Sequence, residues 1–372
     1  MNGLVIWAQS DCRSMMGVYA ALIKALNCPV VVALWFYRKT EDQVTNRNCI
    51  GLRDDEFSDI PRINVGEDWN AGKKILDEHP GFTHLFAVYQ VSPNFRALIL
   101  EAKKRGEKVF VISESPCNMM PGFKGWLKEH FYLKYLLPRK VKDVIRVSEK
   151  VFNLSGDSCA ALQAIGWPAE KIVPFGYFSP PLPGSECVKR TTNKDFHILV
   201  TGIMQWHRAP DTVMRALVLL KKWGVPYRAT FTQKGPLLKP LKQMAIENGL
   251  PVTFSGFLPM PELIKLYETC SVYVAAGRRE PWGMRLNDAL QCGAPIAVSR
   301  GMGGVQMVDD LGCGVSFGAE DYAELAHKLR RMIEDESFYL RCADNAWNAS
   351  EKISSVCKAG DLRKNLEMIG DV

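Results

Sequence analysis

Short apolar runs rich in β-formers alternate with segments of helical periodicity along almost the whole 372-residue chain, and that alternation leaves few folds open to it. In the first half, Leu4–Ala8, Val30–Phe36, His84–Val91, Lys108–Ser113 and Val151–Ser155 read as strands. Helices over Val18–Leu26, Phe95–Arg105 and Cys159–Gly166 fall between them. Runs that are apolar throughout belong to strands covered on both faces, which implies parallel strands joined by crossover helices. The rhythm stops at Phe178–Asp195, where Pro180, Pro181, Pro183 and Gly184 precede a polar stretch, the composition of a linker. It then restarts. Strands His197–Thr201, Arg228–Thr232, Val252–Gly256, Val272–Ala276 and Pro295–Ser299 alternate with helices Thr212–Trp223, Leu238–Asn248, Glu262–Thr269 and Pro281–Gln291. Three helices follow from Asp321. The expectation is an α/β protein of two Rossmann-like, doubly wound domains, 1–177 and 196–350, joined by a linker over 178–195. A last helix within 351–372 can pack back on the N-terminal domain. In such folds ligands sit where the C-terminal ends of strands open into a crevice, here expected to be the cleft between the halves.

Composition excludes several classes. With 47% hydrophobic and 23% charged residues the chain is neither disordered nor fibrous. No basic stretch precedes Leu4–Ala8, and Cys28–Tyr37, the longest apolar run, is shorter than the roughly 18 residues of a membrane span. A cytoplasmic protein is therefore expected. The eleven cysteines are odd in number and form no C-x-x-C, so they read as reduced thiols, and a structural metal is not expected. The six histidines show no catalytic pairing. The net charge of +7 is concentrated: Phe123–Lys150 carries eight basic residues against Glu129, Asp143 and Glu149, interleaved with Phe123, Trp126, Phe131, Tyr132 and Tyr135. Such a segment suits an anionic membrane surface or a phosphorylated acceptor, or else a solvated helix whose aromatics face the core.

The strongest chemical signal is Glu280-Pro281-Trp282-Gly283, followed by Asp288, Cys292-Gly293-Ala294-Pro295 and Gly303-Gly304. An acidic residue sits in the loop after a strand, and Pro281 is suited to open a helix. The N–H groups of Trp282, Gly283 and Met284 would then face the crevice and favour a diphosphate. Asp288, about two turns on, can reach the hydroxyls of the same ligand. In a second cluster, Gly202 to Ala209, Arg208 can clamp a diphosphate bidentately, and Lys234 can add a second charge or be a solvated loop residue.

These motifs resemble the retaining GT-B glycosyltransferases known as glycosyl transferases group 1, whose fingerprint is E-P-F-G, a second acidic residue eight positions after the first, C-G-x-P-V and G-G. The resemblance covers most of residues 197–350. It implies a GT-B fold and an acceptor-binding N-terminal domain. It also implies a hexosyl transfer from a nucleotide-diphosphate sugar, with a UDP-sugar as the first guess and no metal. Catalytic roles fall on Glu280, Arg208 and Lys234. Donor contacts fall on Gly17, Gly256, Phe257, Trp282, Gly283, Met284 and Asp288. The family's G-R-L-x-x-x-K-G appears here with Ile203 for its arginine and Arg208 for its lysine, and its G-x-G-P appears as Gln233-Lys234-Gly235-Pro236. Asp288 and Gln306 stand where the family has glutamates. Asp11, Arg13 and Glu114 are candidates for the acceptor, with helix capping the equal alternative for Asp11 and for Glu114. The acceptor implied is a glycan or lipid-linked glycan of bacterial cell-surface polysaccharide or lipopolysaccharide. A nucleic-acid partner is not expected. The same fold also serves silent binding subunits, nucleotide-sugar epimerases and phosphorylases.

Overall fold

Both runs of alternation build parallel sheets. The computed structural model describes residues 1–8, 13–35, 60, 62–87, 92–155, 159–192 and 194–367, apart from the side chains of residues 13 and 14. The chain divides into one unit made of Met1–Pro116, Trp126–Pro180 and the residues from Ser355 onward, and a second made of Cys117–Gly125 and Pro181–Ser354.

The N-terminal unit holds seven strands: β1 (Leu4–Ala8), β2 (Val30–Leu34), β3 (Arg62–Asn64), β4 (Thr83–Ala87), β5 (Val109–Ser113), β6 (Lys150–Asn153) and β7 (Ile172–Pro174). Their order is β3-β2-β1-β4-β5-β6-β7 and every pairing is parallel. The order reverses direction between β1 and β4, the place where such sheets open a crevice. Every residue of β1, β4 and β5 is buried, which is why these strands lack polar alternation. Among the described residues the helices of this run are α1 (Arg13–Ala25), α2 (Trp69–Glu78), α3 (Pro93–Lys104), α4 (Gly122–Leu127), α5 (Leu137–Val147) and α6 (Cys159–Ala164). A π-helix, Lys128–Leu136, lies between α4 and α5. Helix α3 starts where sequence chemistry favours it: Ser92 accepts from the Phe95 N–H, and Pro93 fills the first turn. The last helix of the chain, Ser355–Glu367, packs against α1, and Arg363 donates to the Ala25 carbonyl at 2.9 Å, at the end of α1 where a cation is favoured.

The C-terminal unit has β8 (His197–Val200), β9 (Arg228–Thr232), β10 (Val252–Gly256), β11 (Val272–Ala275), β12 (Ile296–Ser299) and β13 (Gly314–Phe317), ordered β10-β9-β8-β11-β12-β13 and all parallel. Its helices are α7 (Pro210–Lys222), α8 (Leu238–Glu247), α9 (Met260–Thr269), α10 (Arg285–Gln291), α11 (Gln306–Leu311), α12 (Tyr322–Glu334) and α13 (Glu336–Lys352); the helix Ser355–Glu367 is α14. The core under α7 and α12 includes Val213, Leu217, Leu220, Leu325 and Leu329, and the same cluster takes in Phe196, Phe231, Phe317 and Tyr339.

Two expectations need correction. The helix expected from Pro281 begins only at Arg285, so the four residues before it form a loop. The stretch expected as a linker is clasped to the C-terminal unit from Pro181 onward. The Val188 N–H donates to the Cys292 carbonyl at 3.2 Å. The buried Arg190 guanidinium donates to the carbonyls of Val188, Tyr267, Cys270 and Cys292. Three of these carbonyls close the C-terminal ends of α9 and α10, where a helix presents unpaired acceptors and negative potential.

Candidate active site

The C-terminal ends of β8, β9 and β11 meet at one pocket, lined by Thr201, Gly202, Ile203, Phe231, Thr232, Tyr273, Ala276 and the loop residues Arg208, Glu280, Gly283 and Arg285. After β8 the chain turns at Gly202 (φ +112°), makes a single 3-10 turn over Trp206–Arg208, and enters α7 through Ala209 (φ +48°) and Pro210. Ala209 holds a left-handed conformation where the family motif has glycine, as does Gln233 (φ +74°) after β9. A non-glycine residue in this conformation costs about 1–2 kcal/mol per site, the kind of strain found in functional loops.

Gly235 shows what keeps the two loops together. The Met204 N–H donates to the Lys234 carbonyl at 3.0 Å, and a Cβ on Gly235 would sit 2.4 Å from the Met204 carbonyl oxygen. Gly235→Ala is therefore expected to lower the stability of the C-terminal unit by about 1–3 kcal/mol, read as a lower unfolding midpoint. A variant as stable as the wild type would show that these loops can separate freely.

Glu280 is pinned through its backbone. Its N–H donates to the Gly301 carbonyl and its carbonyl accepts from the Gly303 N–H, both at 3.0 Å, while the Gly304 N–H donates to the Trp282 carbonyl. The glycines permit this approach: a Cβ on Gly301 would lie 2.2 Å from the Arg278 carbonyl oxygen, and one on Gly304 would lie 2.7 Å from that of Trp282. The G-G element thus buttresses the Glu280 loop. Trp282 is turned inward, its indole donating to Asn287 Oδ1 at 2.8 Å, and Gly283 (φ +99°) turns the chain into α10. The backbone N–H groups of Trp282, Gly283 and Met284 make no backbone hydrogen bond among the described residues.

The charges converge. The side chain of Glu280, 14% exposed, places Oε1 3.6 Å from Nη1 of Arg208, itself 28% exposed. Arg208 Nε and Thr232 Oγ1 are buried at the pocket without a hydrogen-bond partner. Burial depresses the pKa of Arg208, with Glu280 opposing that shift and Arg285 reinforcing it. Burial likewise lowers the pKa of His207, helped by the positive charge of Arg208 and opposed by Glu280. Beneath the pocket, Thr201 Oγ1 meets the hydroxyls of Tyr267 and Tyr273 at 3.0 and 3.3 Å, and burial holds both phenols in the neutral form.

Of the residues singled out from sequence, Arg208, Glu280 and Gly283 line the pocket together. Trp282 and Asp288 are buried beside it, and Met284 precedes α10. Lys234 is exposed on the loop after β9, outside the pocket lining. Gly256 (φ +72°) and the exposed Phe257 end β10; the Gly256 carbonyl accepts from the Gln233 N–H. In the N-terminal unit Gly17 is buried in α1, where a Cβ would lie 2.5 Å from Pro180 Cδ, so close packing explains that glycine. Glu114 follows β5 and accepts from the Tyr177 hydroxyl at 2.7 Å, and no helix begins there for it to cap. Asp11 lies outside the described residues, as does the side chain of Arg13. Arg285, Thr201, Thr232 and Tyr273 went unnoticed in the sequence.

Two parallel sheets with these loops at their C-terminal edges define an α/β protein of the GT-B type. HepE (Alr3699) of Anabaena, solved in complex with UDP, superposes with a TM-score of 0.72 at 16% identity, over 99% of this chain and 100% of that one. Residues 188–349 match the family glycosyl transferases group 1, the one whose motifs the sequence resembles. A GDP-mannose-dependent α-(1-6)-phosphatidylinositol dimannoside mannosyltransferase of Mycobacterium tuberculosis is 29% identical over 147 residues, 38% of this chain and 37% of that protein. The serotype-specific mannosyltransferase WbdA of Escherichia coli is 21% identical over 276 residues, 72% of this chain and 30% of WbdA. The matches thus span about a third of the length of these curated relatives.

Proposed function

We propose that this protein is a retaining, metal-independent glycosyltransferase that moves a sugar from a nucleoside-diphosphate sugar to a glycan or lipid-linked glycan, in the synthesis of a cell-surface polysaccharide or lipopolysaccharide. The observation that carries this reading is the convergence of Arg208 and Glu280 on one pocket at the strand ends, with Arg208 Nε and Thr232 Oγ1 left unpaired there. Arg208 would bind the diphosphate and stabilise the charge that grows on it as the glycosidic oxygen departs. Glu280 would hold the donor sugar, and the departing phosphate would take the acceptor's proton on the face that it leaves. No nucleophilic side chain is then needed, and the anomeric configuration is retained.

GDP-mannose is the donor supported by the mycobacterial relative. A uridine donor, the expectation from sequence, is the second reading, favoured by UDP in HepE. The segment Phe123–Lys150 supports an anionic membrane surface as the place of work. Phe123, Trp126 and Phe131 are 75%, 54% and 51% exposed, while the basic residues interleave with them. Aromatics at the headgroup level and about 1 kcal/mol per nearby lysine or arginine would hold such a segment on anionic lipid. No helix among the described residues is long and apolar enough to cross a membrane.

The test is transfer from GDP-[¹⁴C]mannose and from UDP-[¹⁴C]sugars to bacterial lipid extracts in EDTA, with the product's anomeric configuration read by NMR. Retained configuration with EDTA present is the expected result. Inversion, or a strict need for a divalent cation, overturns the mechanism. Vesicle flotation tests the surface: binding to anionic vesicles is expected to fall at least about tenfold on Phe123→Ser/Trp126→Ser/Phe131→Ser, and equal binding by both proteins overturns it.

A further inference from the structure

The position where the family motif has an arginine is Ile203 here, yet a guanidinium occupies the same turn. It belongs to Arg285, the first residue of α10. A Cβ on Gly202 would lie 2.9 Å from Arg285 Nη1 and 3.5 Å from Arg208 Cδ, so both arginine side chains run along the turn that follows β8. Both line the pocket with Thr232 and Glu280.

Among the described residues no ion pair or hydrogen bond holds the Arg285 guanidinium, which distinguishes it from Arg190, Arg278 and Arg300, each clamped by partners. Burial opposes its charge, but the carboxylates of Asp288 and Glu280 nearby hold its pKa up, so the charge is kept. Two like charges thus face one pocket lined by a single carboxylate, with Arg208 Nε and Thr232 Oγ1 buried and unpaired beside them. An anion carrying two phosphates relieves the repulsion and supplies the missing acceptors.

We propose that Arg285 is the second phosphate-binding cation of this site, supplying from α10 the charge that Ile203 does not carry after β8. The proposal rests on the donor being a nucleoside-diphosphate sugar. It makes Arg285 a specificity residue for diphosphate over monophosphate. It also assigns Gly202 a role: a side chain there would displace the guanidinium from the turn.

The experiment is calorimetric binding of GDP, GMP, UDP and UMP to the wild type, Arg285→Gln, Arg285→Lys and Ile203→Arg/Arg285→Gln. Arg285→Gln is expected to weaken the bound diphosphate about 10- to 100-fold and its monophosphate less than about 3-fold. Arg285→Lys should fall between, since it keeps the charge without the planar fork. Ile203→Arg is expected to restore most of the loss in the double variant. Equal losses for mono- and diphosphate, or an unchanged diphosphate affinity, overturn the proposal while leaving the nucleotide-binding reading in place. A wild type that binds no nucleoside diphosphate overturns both. Should Arg285→Gln fail to fold, the lysine variant gives the same comparison.

Discussion

Arg208→Ala is expected to lower kcat/KM for sugar transfer by about 10²- to 10³-fold, the range seen when one donor to a developing oxyanion is removed. Three features of the structure make the effect large. The side chain is mostly withdrawn from water, so its hydrogen bonds to phosphate form in a poorly screened place. Its Nε is already desolvated and unpaired, so binding a phosphate adds a bond without breaking one to the protein. Glu280, 3.6 Å away, would face the incoming diphosphate without its neighbouring cation, and repulsion would add to the loss. Arg208→Lys keeps the charge and should recover part of the activity. Steady-state kinetics of the variants, with thermal unfolding to confirm the fold, measures this. A loss below about threefold would remove Arg208 from the chemistry.

Arg190→Leu is expected to cost about 3–5 kcal/mol, a drop of roughly 10 °C in the unfolding midpoint of the C-terminal unit. Leucine replaces the volume but leaves the carbonyls of Tyr267, Cys270, Val188 and Cys292 without this buried donor. Two of them close α9 and one closes α10, so the ends of both helices loosen together. Because α10 begins with Arg285, the variant also tests whether the clasp supports the site. Nucleotide affinity measured well below the midpoint should stay within about threefold of wild type if α10 is otherwise held. A midpoint shift under about 2 °C would show that water replaces the guanidinium at those carbonyls.

The fold was largely legible because long parallel sheets write continuous apolar runs into a sequence, as in Leu4–Ala8 and Val109–Ser113. Strands β3, β7 and β13 were not: β3 and β7 have three residues, too few to show a period, and β13 (Gly-Val-Ser-Phe) is interrupted by a glycine and a serine. The start of α10 was misread for a tertiary reason. Pro281 suits a first helical turn, but hydrogen bonds of Glu280 with Gly301 and Gly303, and of Trp282 with Gly304, tie this loop to the neighbouring turn instead. At the site, Arg208 and Glu280 were readable from loop motifs. Arg285 was not, because a cation that crosses from one loop's charge position to another leaves no mark in spacing; only Gly202, seen in three dimensions, gives it away. Gln233 and Ala209 teach the converse: neither is a glycine, yet the backbone is left-handed at both.

The most direct test of the central claim, that the pocket at the ends of β8, β9 and β11 binds the diphosphate of a nucleotide sugar, is titration of the purified protein with GDP, UDP and their monophosphates in EDTA. One diphosphate is expected to bind with a Kd of about 1–100 μM, at least tenfold tighter than its monophosphate, with Arg208→Ala removing the difference. No binding of any nucleoside diphosphate, or equal affinity for mono- and diphosphate, would contradict it.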